Sequence, residues 1–208
     1  MVVTSTFAQY KIGVKTDDWI KFIVTVSGAI SGTPPTWMKV EFLLVEGSYA
    51  TIRSTMHMAD GTEQVEITTI NIMMGSGSFF YVQGLVIPAN STMGNAVFII
   101  GYGSVTIASE NTRKYAGASR TVVYGNLSQA GYSATYYWDK VTGILVESSQ
   151  SFGGITLILK ATETNMWQGQ SFELIFYGLI IAVIAIVVAF ILIQRKKKPA
   201  EEAPPTET

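Results

Sequence analysis

The chain has 208 residues, of which 48% are hydrophobic and only 14% charged, and its mean hydropathy of +0.32 is high for a soluble protein. Its formal net charge is −1 and its basic residues are scattered before residue 194, which disfavours nucleic-acid binding because that requires a basic patch. It contains no cysteine, so disulfides and thiolate metal sites are excluded.

The first residues, MVVTSTFAQYKIG, lack the basic start and apolar core of a signal peptide. Three interpretations stay open. Either an N-terminal signal peptide was removed, or the start of the gene is assigned too late, or the protein is tail-anchored and faces the cytoplasm. The third conflicts with the charge rule applied below.

Residues 9–162 are expected to be strands almost throughout. The segment WIKFIVTV alternates with the period of two that is typical of a strand with one face on a core. Its core face would carry Ile20, Phe22, Val24 and Val26, and its outer face Trp19, Lys21, Ile23 and Thr25. Ile155, Leu157 and Leu159 alternate in the same way with Thr156, Ile158 and Lys160.

Short turn signals separate the other predicted strands, for example DGT at 60–62 and GYG at 101–103. These strands are placed at 38–46, 49–58, 64–72, 79–87, 95–100, 103–108, 113–116, 119–125, 132–138 and 144–152. No connection is long enough for a crossover helix, so the pattern predicts an all-β antiparallel meander. Accumulated twist should curve it strongly into a half-barrel or barrel-like sheet, with a β-sandwich as the alternative.

Residues 174–193, LIFYGLIIAVIAIVVAFILI, contain no charge and would reach about 30 Å as a helix, which predicts a transmembrane helix. The expected organisation is a β-domain at 1–162, a juxtamembrane linker at 163–173, the helix at 174–193 and a disordered Pro- and Glu-rich tail at 194–208. In the linker, Trp167 is expected either at the lipid headgroups or as a plug at one end of the sheet.

Four cations, Arg195, Lys196, Lys197 and Lys198, follow the apolar segment directly. By the positive-inside rule they act as a membrane stop, with the tail in the cytoplasm and the N-terminal domain outside. The expected location is therefore the cell membrane, in single-pass form, and the lipid bilayer is the first expected partner.

No residue pattern indicates catalysis, a metal site or a cofactor. The single histidine, His57, lies between two methionines with no sign of a nucleophile and an orienting group around it. Asp17–Asp18 and the DGTE segment at 60–63 are too short to form a calcium loop and are better interpreted as turns. Asn90 and Asn126 begin sequons and are candidate glycosylation sites.

Aromatic residues cluster in YYWDKVTG, where Tyr136 and Trp138 share one strand face. Together with Met56 and Met73 they are candidate ligand-binding residues for a lipid or an apolar peptide on the concave face. The competing interpretation is that these side chains fill the core. DKVTG is expected to be a hairpin loop in which Gly143 is left-handed and Asp139 bonds to the turn backbone.

Six segments, VKTDDWIKFIVTVSG, DGTE, IPAN, SRTVVY, YYWDKVTGILVE and TETNMW, resemble an uncharacterised group of archaeal cell-surface proteins. The resemblance implies a secreted β-domain, one C-terminal membrane helix and a basic stop, and it implies no activity. The aromatic hairpin is also similar to the half-barrel domains of bacterial lipoprotein carriers, from which this chain departs in lacking a lipidation cysteine.

The sequence therefore favours a non-catalytic binding or structural module of the cell envelope, anchored in the membrane and exposed outside. The alternative is a carrier or sensor that holds an apolar ligand in the concave face of the sheet. An envelope protein or an apolar ligand would be the partner beyond the bilayer.

Overall fold

Ten strands account for most of the chain that the computed structural model describes, which comprises residues 11–29, 32–71, 84–99, 101–167, 180–186 and 188. Their bounds are β1 (Trp19–Ser27), β2 (Pro35–Glu46), β3 (Tyr49–Met58), β4 (Glu63–Asn71), β5 (Ala96–Ile99), β6 (Gly103–Tyr115), β7 (Ala118–Gln129), β8 (Tyr132–Asp139), β9 (Leu145–Phe152) and β10 (Ile155–Thr164). The all-β class predicted from the sequence is confirmed.

The strands form one antiparallel sheet in the order β4-β3-β2-β1-β10-β9-β8-β7-β6-β5. Two meanders, β1 to β4 and β5 to β10, are joined by pairing of β1 with β10, so the first and last strands lie side by side. Among the described residues, β4 and β5 form the two open edges, and the sheet is not closed.

One face of the sheet, here called the inner face, carries the hydrophobic core. The alternation predicted for β1 is confirmed, because Ile20, Phe22 and Val24 are buried while Ile23 and Thr25 are exposed. Cα atoms of β6 and β10 approach within 8 Å although three strands lie between them. In a flat sheet they would be about 19 Å apart, so the sheet is strongly bent here.

Residues 84–90, here called the cover segment, lie against the β8–β9 connection. Leu85, Val86 and Ile87 are all buried, without alternation, and only Val86 forms a β-bridge, with Ile144. The strand predicted at 79–87 is therefore wrong for residues 84–87, and residues 79–83 lie outside the described residues. The physical reason is that a segment packed on several sides has no solvent face to produce a period of two.

The strands predicted at 103–108 and 113–116 are a single strand, β6. The pairing of β6 with β7 shifts register between Ile107 and Ser109, and residues 110–112 are polar and exposed. A bulge changes which side chains face the core, so the hydrophobic alternation fades where the strand in fact continues.

Residues 180–186 are helical. Within the described part of the chain, no helix has the length and apolar character needed to cross a membrane. Most of the segment predicted to span, 174–193, lies outside the described residues, as do Arg195, Lys196, Lys197 and Lys198. The chain divides into two units, Met1–Gly169 and Gln170–Thr208, and the sheet belongs to the first.

The turn between β8 and β9 generates a prediction about glycine. Gly143 has a φ of +72°, and a Cβ at this position would run into the backbone carbonyl oxygen of Ile87. We expect Gly143→Ala to lose about 3 kcal/mol or more of unfolding free energy, from left-handed strain plus the collision.

The matched control is Gly131→Ala, because Gly131 has a φ of +76° and open space where its Cβ would lie. It should cost about 1 kcal/mol, the strain alone. Urea unfolding of the two purified variants measures both values, and equal losses would contradict the close packing of the cover segment.

Candidate functional site

The aromatic residues predicted to face one side of β8 are in the core. Trp138 and Tyr136 are fully buried on the inner face, stacked with ring centroids 5.4 Å apart. The indole Nε1 of Trp138 donates to the carbonyl oxygen of Gly84, 2.6 Å away. Met56, also a predicted ligand residue, is buried at 6% exposure on β3, and Met73 lies outside the described residues.

Polar atoms in this part of the core are joined in a chain of hydrogen bonds. The hydroxyl groups of Tyr132 and Tyr136 are 2.7 Å apart, Tyr132 donates to Gln150 Oε1, and Gln150 Nε2 donates to Ser148 Oγ. Burial raises the pKa of Tyr136 far above its ordinary value, with the Tyr132 hydroxyl adding to the shift. The neutral phenol is therefore the form that the core accommodates.

The turn after Trp138 is built on the carboxylate of Asp139, whose side chain is fully buried. Its Oδ1 accepts from the backbone nitrogen and the hydroxyl of Thr142, both at 2.8 Å. Gly143 has the positive φ expected of it, and its nitrogen donates to the Asp139 carbonyl oxygen. The hairpin turn predicted for DKVTG is confirmed, including the bond from Asp139 to the turn backbone.

Arg120 of β7 neutralises this buried carboxylate. Its Nε lies 2.8 Å from Asp139 Oδ2 and its Nη2 lies 3.1 Å from Oδ1, a two-point contact that fixes the guanidinium plane. The same guanidinium is 4.8 Å from the centroid of the Trp167 ring. The Asp139 turn is thereby connected to the last residue of the domain that the structure describes.

Trp167 is buried, at 8% exposure, and its Nε1 donates to the carbonyl oxygen of Tyr115. Of the two positions expected for it, the plug at one end of the sheet is the one observed. Asn165 bonds the same end, since its side chain accepts from Trp19 nitrogen and donates to the Asp17 carbonyl. The chain therefore leaves the sheet at a fixed point.

A second polar cluster lies on the outward-facing side of β6, β8 and β9. Tyr115 donates to Glu147 Oε2 at 2.7 Å, and Arg113 lies over the Tyr137 ring and bonds its hydroxyl. Burial, followed by the bond to Glu147, raises the pKa of Tyr115 well above its ordinary value. Within this cluster the phenol is a donor to the carboxylate and not a base.

His57 belongs to a surface ladder across β3, β2 and β1. Its ring stacks on Trp37 with centroids 5.2 Å apart, its Nδ1 lies 3.1 Å from Thr36 Oγ1, and Lys21 Nζ lies 5.1 Å from the Trp37 ring centroid. Lys21 also pairs with Glu163 of β10. These contacts are those of a side chain packed on its neighbours across the strands.

The acidic turns bond to their own backbone. Asp60 Oδ1 accepts from the nitrogen and the hydroxyl of Thr62, and these bonds lower the pKa of the carboxyl group. Asp18 Oδ2 accepts from Lys15 nitrogen. Across the part of the chain with described coordinates, no cluster of three or more histidine or acidic side chains could hold a metal ion.

The two sequon asparagines lie in different surroundings. Asn90 is exposed in a turn with a φ of +60°, whereas Asn126 is exposed on β7, where its Oδ1 accepts from Thr135 of β8 at 2.9 Å. Both side chains reach the surface. Their glycosylation stays a prediction.

Arg120 was missed by reasoning from the sequence, and so was the burial of Asp139. No local signal marks either one, since Arg120 looks like a solvated residue at the start of a strand. Only the register of β7 with β8, which pairs Val122 with Asp139, brings the two side chains together.

With this geometry established, the chain was compared with protein-family models, with curated proteins and with solved structures, and none of the three comparisons found a match.

Removing the charge of Asp139 tests the buried pair. We expect Asp139→Asn to lose about 3 kcal/mol of unfolding free energy, because it leaves the Arg120 guanidinium without its counter-charge next to the core. The exposed pair Lys21–Glu163 supplies the control, and Glu163→Gln should cost at most about 1 kcal/mol. Chemical unfolding measures both, and a loss in Asp139→Asn as small as the control's would contradict the assigned role.

Proposed function

We propose that the chain is a membrane-anchored extracytoplasmic β-domain that acts as a non-catalytic binding or structural module of the cell envelope. In this proposal the sheet is a half-barrel whose inner face is filled by its own side chains. Residues 174–193 form the anchor, and Arg195 to Lys198 keep the short tail in the cytoplasm.

The filled inner face is the observation that carries the proposal. Trp138 and Tyr136 have no exposed surface, and they belong to one continuous cluster that also includes Met56. Among the described residues, no buried side-chain nitrogen or oxygen lacks a hydrogen-bond partner. A core satisfied in this way supports a rigid domain that interacts through its outer surface.

The attachment of the domain's end supports anchoring by a short tether. Trp167 and Asn165 bond the end of the sheet, so the tether starts from a fixed position. Only six residues separate Trp167 from the apolar segment at 174. Such a spacing would keep the β-domain close to the membrane surface.

The contacts of the candidate chemical groups support a non-catalytic role. His57 is stacked on Trp37, and the carboxylates of Asp139, Glu147 and Glu163 face arginine or lysine side chains. A general base or nucleophile needs a partner group positioned toward an open site. These groups instead stabilise neighbouring strands.

Protease treatment of intact cells tests the proposal. Added protease should trim residues 1–173 and leave the tail, because the tail lies behind the membrane. The control is the same digestion after permeabilisation, which should also remove the tail. Protection of the β-domain in intact cells would contradict the proposed orientation.

The same protein, purified in mild detergent and examined by native mass spectrometry, separates the module from the carrier alternative. The module predicts the mass of the chain and its modifications, with no lipid or peptide retained in the β-domain. A stoichiometric apolar ligand that survives detergent exchange would favour the carrier, whose ligand would occupy the concave face.

A further inference from the structure

Among the residues that the structure describes, one end of the outward-facing side of the sheet carries no charged side chain. Residues 121–138, 148–159 and 22–38 contain no Lys, Arg, Asp, Glu or His, and they supply the neighbouring ends of β7, β8, β9, β10 and β1. Charged residues make up about 25% of an average soluble domain and 14% of this chain. An uncharged area that crosses five adjacent strands is therefore a distinctive feature of this surface.

Side-chain hydroxyl groups form a row across these five strands. The register pairs Ser128 with Ser133, Ser133 with Ser151, Ser151 with Thr156 and Thr156 with Ser27. Directly opposed residues of neighbouring strands lie about 5 Å apart on the same face. The row is therefore a regular line of hydroxyl groups.

A second row runs beside the first, two residues along each strand. It pairs Asn126 with Thr135, Thr135 with Ser149, Ser149 with Ile158 and Ile158 with Thr25. Asn126, Ser149 and Thr25 are exposed and Thr135 is partly exposed. The two rows together are called the neutral face, and nine of its ten side chains bear a hydroxyl or an amide.

We propose that the neutral face binds a neutral polysaccharide of the cell envelope. The inference rests on the proposed function, since it names the partner class of a binding module. Hydroxyl and amide groups donate and accept hydrogen bonds without charge, as the hydroxyl groups of a sugar do. A regular double row across five strands matches a polymer that repeats the same hydroxyl groups along its length.

The composition of the neutral face disfavours other partners. A charged ligand would find no counter-charge there and would lose hydration without compensation. Interfaces between proteins are depleted in serine and enriched in Tyr, Trp, Phe, Met and Arg, the opposite of these two rows. A second copy of the chain is therefore a poorer match than a polyhydroxylated polymer.

Two contacts hold side chains of the neutral face in place. Ser151 Oγ and Thr156 Oγ1 are 3.0 Å apart, and Thr135 donates to Asn126. Bonded side chains on paired strands lose less conformational freedom when a ligand is bound.

Affinity electrophoresis of the purified full-length protein in neutral detergent tests the inference. Gels containing dextran or mannan should retard the protein, and a gel containing the anionic polysaccharide alginate should not. Retardation by alginate equal to that by the neutral polymers would overturn the proposal, as would no retardation by dextran and mannan.

Substitution at Ser149, in the middle of the second row, locates the site. Ser149→Glu should weaken retardation by dextran or mannan about tenfold, because a charge would lose hydration against a neutral polymer. Ser149→Thr keeps the hydroxyl and should bind like the parent. Thr112→Glu places the same charge at an exposed position of β6 outside the two rows and should change nothing.

Equal binding by Ser149→Glu and the parent would overturn the assignment to this face. A change of oligomeric state in Ser149→Glu, measured by light scattering, would show instead that the face joins copies of the chain. If Ser149→Glu fails to fold, amide hydrogen exchange of the parent protein, measured with and without dextran, tests the assignment instead. Added dextran should slow exchange in 126–135 and 148–158, and slowing confined to the cover segment would contradict the proposal.

Failure of this inference is distinguishable from failure of the proposed function. Binding of dextran by purified protein does not depend on orientation in the membrane. A β-domain protected in intact cells would contradict the proposed function and leave the binding result standing. If the purified protein does not bind polysaccharide, the further inference fails, and the proposal of an anchored structural module still stands.

Discussion

The buried carboxylate of Asp139 organises one end of the sheet, and three other segments of the chain pack on that end. It accepts from Thr142 within its own turn and from Arg120 on the neighbouring strand. A carboxylate without exposed surface is tolerated only when such donors compensate for its lost hydration. Both the shape of the turn and the position of Arg120 are therefore set by one charged group.

Three other segments are packed on this turn. The cover segment bonds it through Ile87 nitrogen to the Gly143 carbonyl and through Asn90 nitrogen to the Lys140 carbonyl. At Gly13 a Cβ would come within 2.7 Å of the Thr142 backbone, so the N-terminal segment also passes directly against it. Trp167 completes the arrangement through Arg120. The turn therefore joins parts of the chain that are far apart in sequence.

The two faces of the sheet differ in the side chains that they carry. The inner face is occupied by the protein's own aromatic and aliphatic side chains, with the Tyr132–Tyr136 pair bonded inside it. The outward-facing side is itself divided. Ion pairs such as Lys39–Glu41 occupy the β1 to β3 region, and the neutral face occupies one end of β7 to β10 and β1.

Local patterns predicted much of this fold. The period of two placed Ile20 and Phe22 on the core face, and the turn chemistry of Asp139 and Gly143 was predicted correctly, because both depend on neighbours within a few residues. Pairing of β1 with β10 and of Arg120 with Asp139 depends on register between distant strands, for which a single sequence has no local signal. Residues 84–87 of the cover segment were predicted as the end of a strand because their hydrophobic run resembles one.

Hydrogen exchange at individual amides measures the dependence on Asp139 most directly. The amides of Ile87, Asn90 and Leu145, which bond across the turn, should exchange only on global unfolding in the parent. In Asp139→Asn these three amides should exchange faster than global unfolding of the variant allows. The amides of β2 and β3 should still exchange only on global unfolding of the variant. If the three amides of the variant remain protected like those of β2 and β3, the Asp139 carboxylate does not organise this end of the sheet.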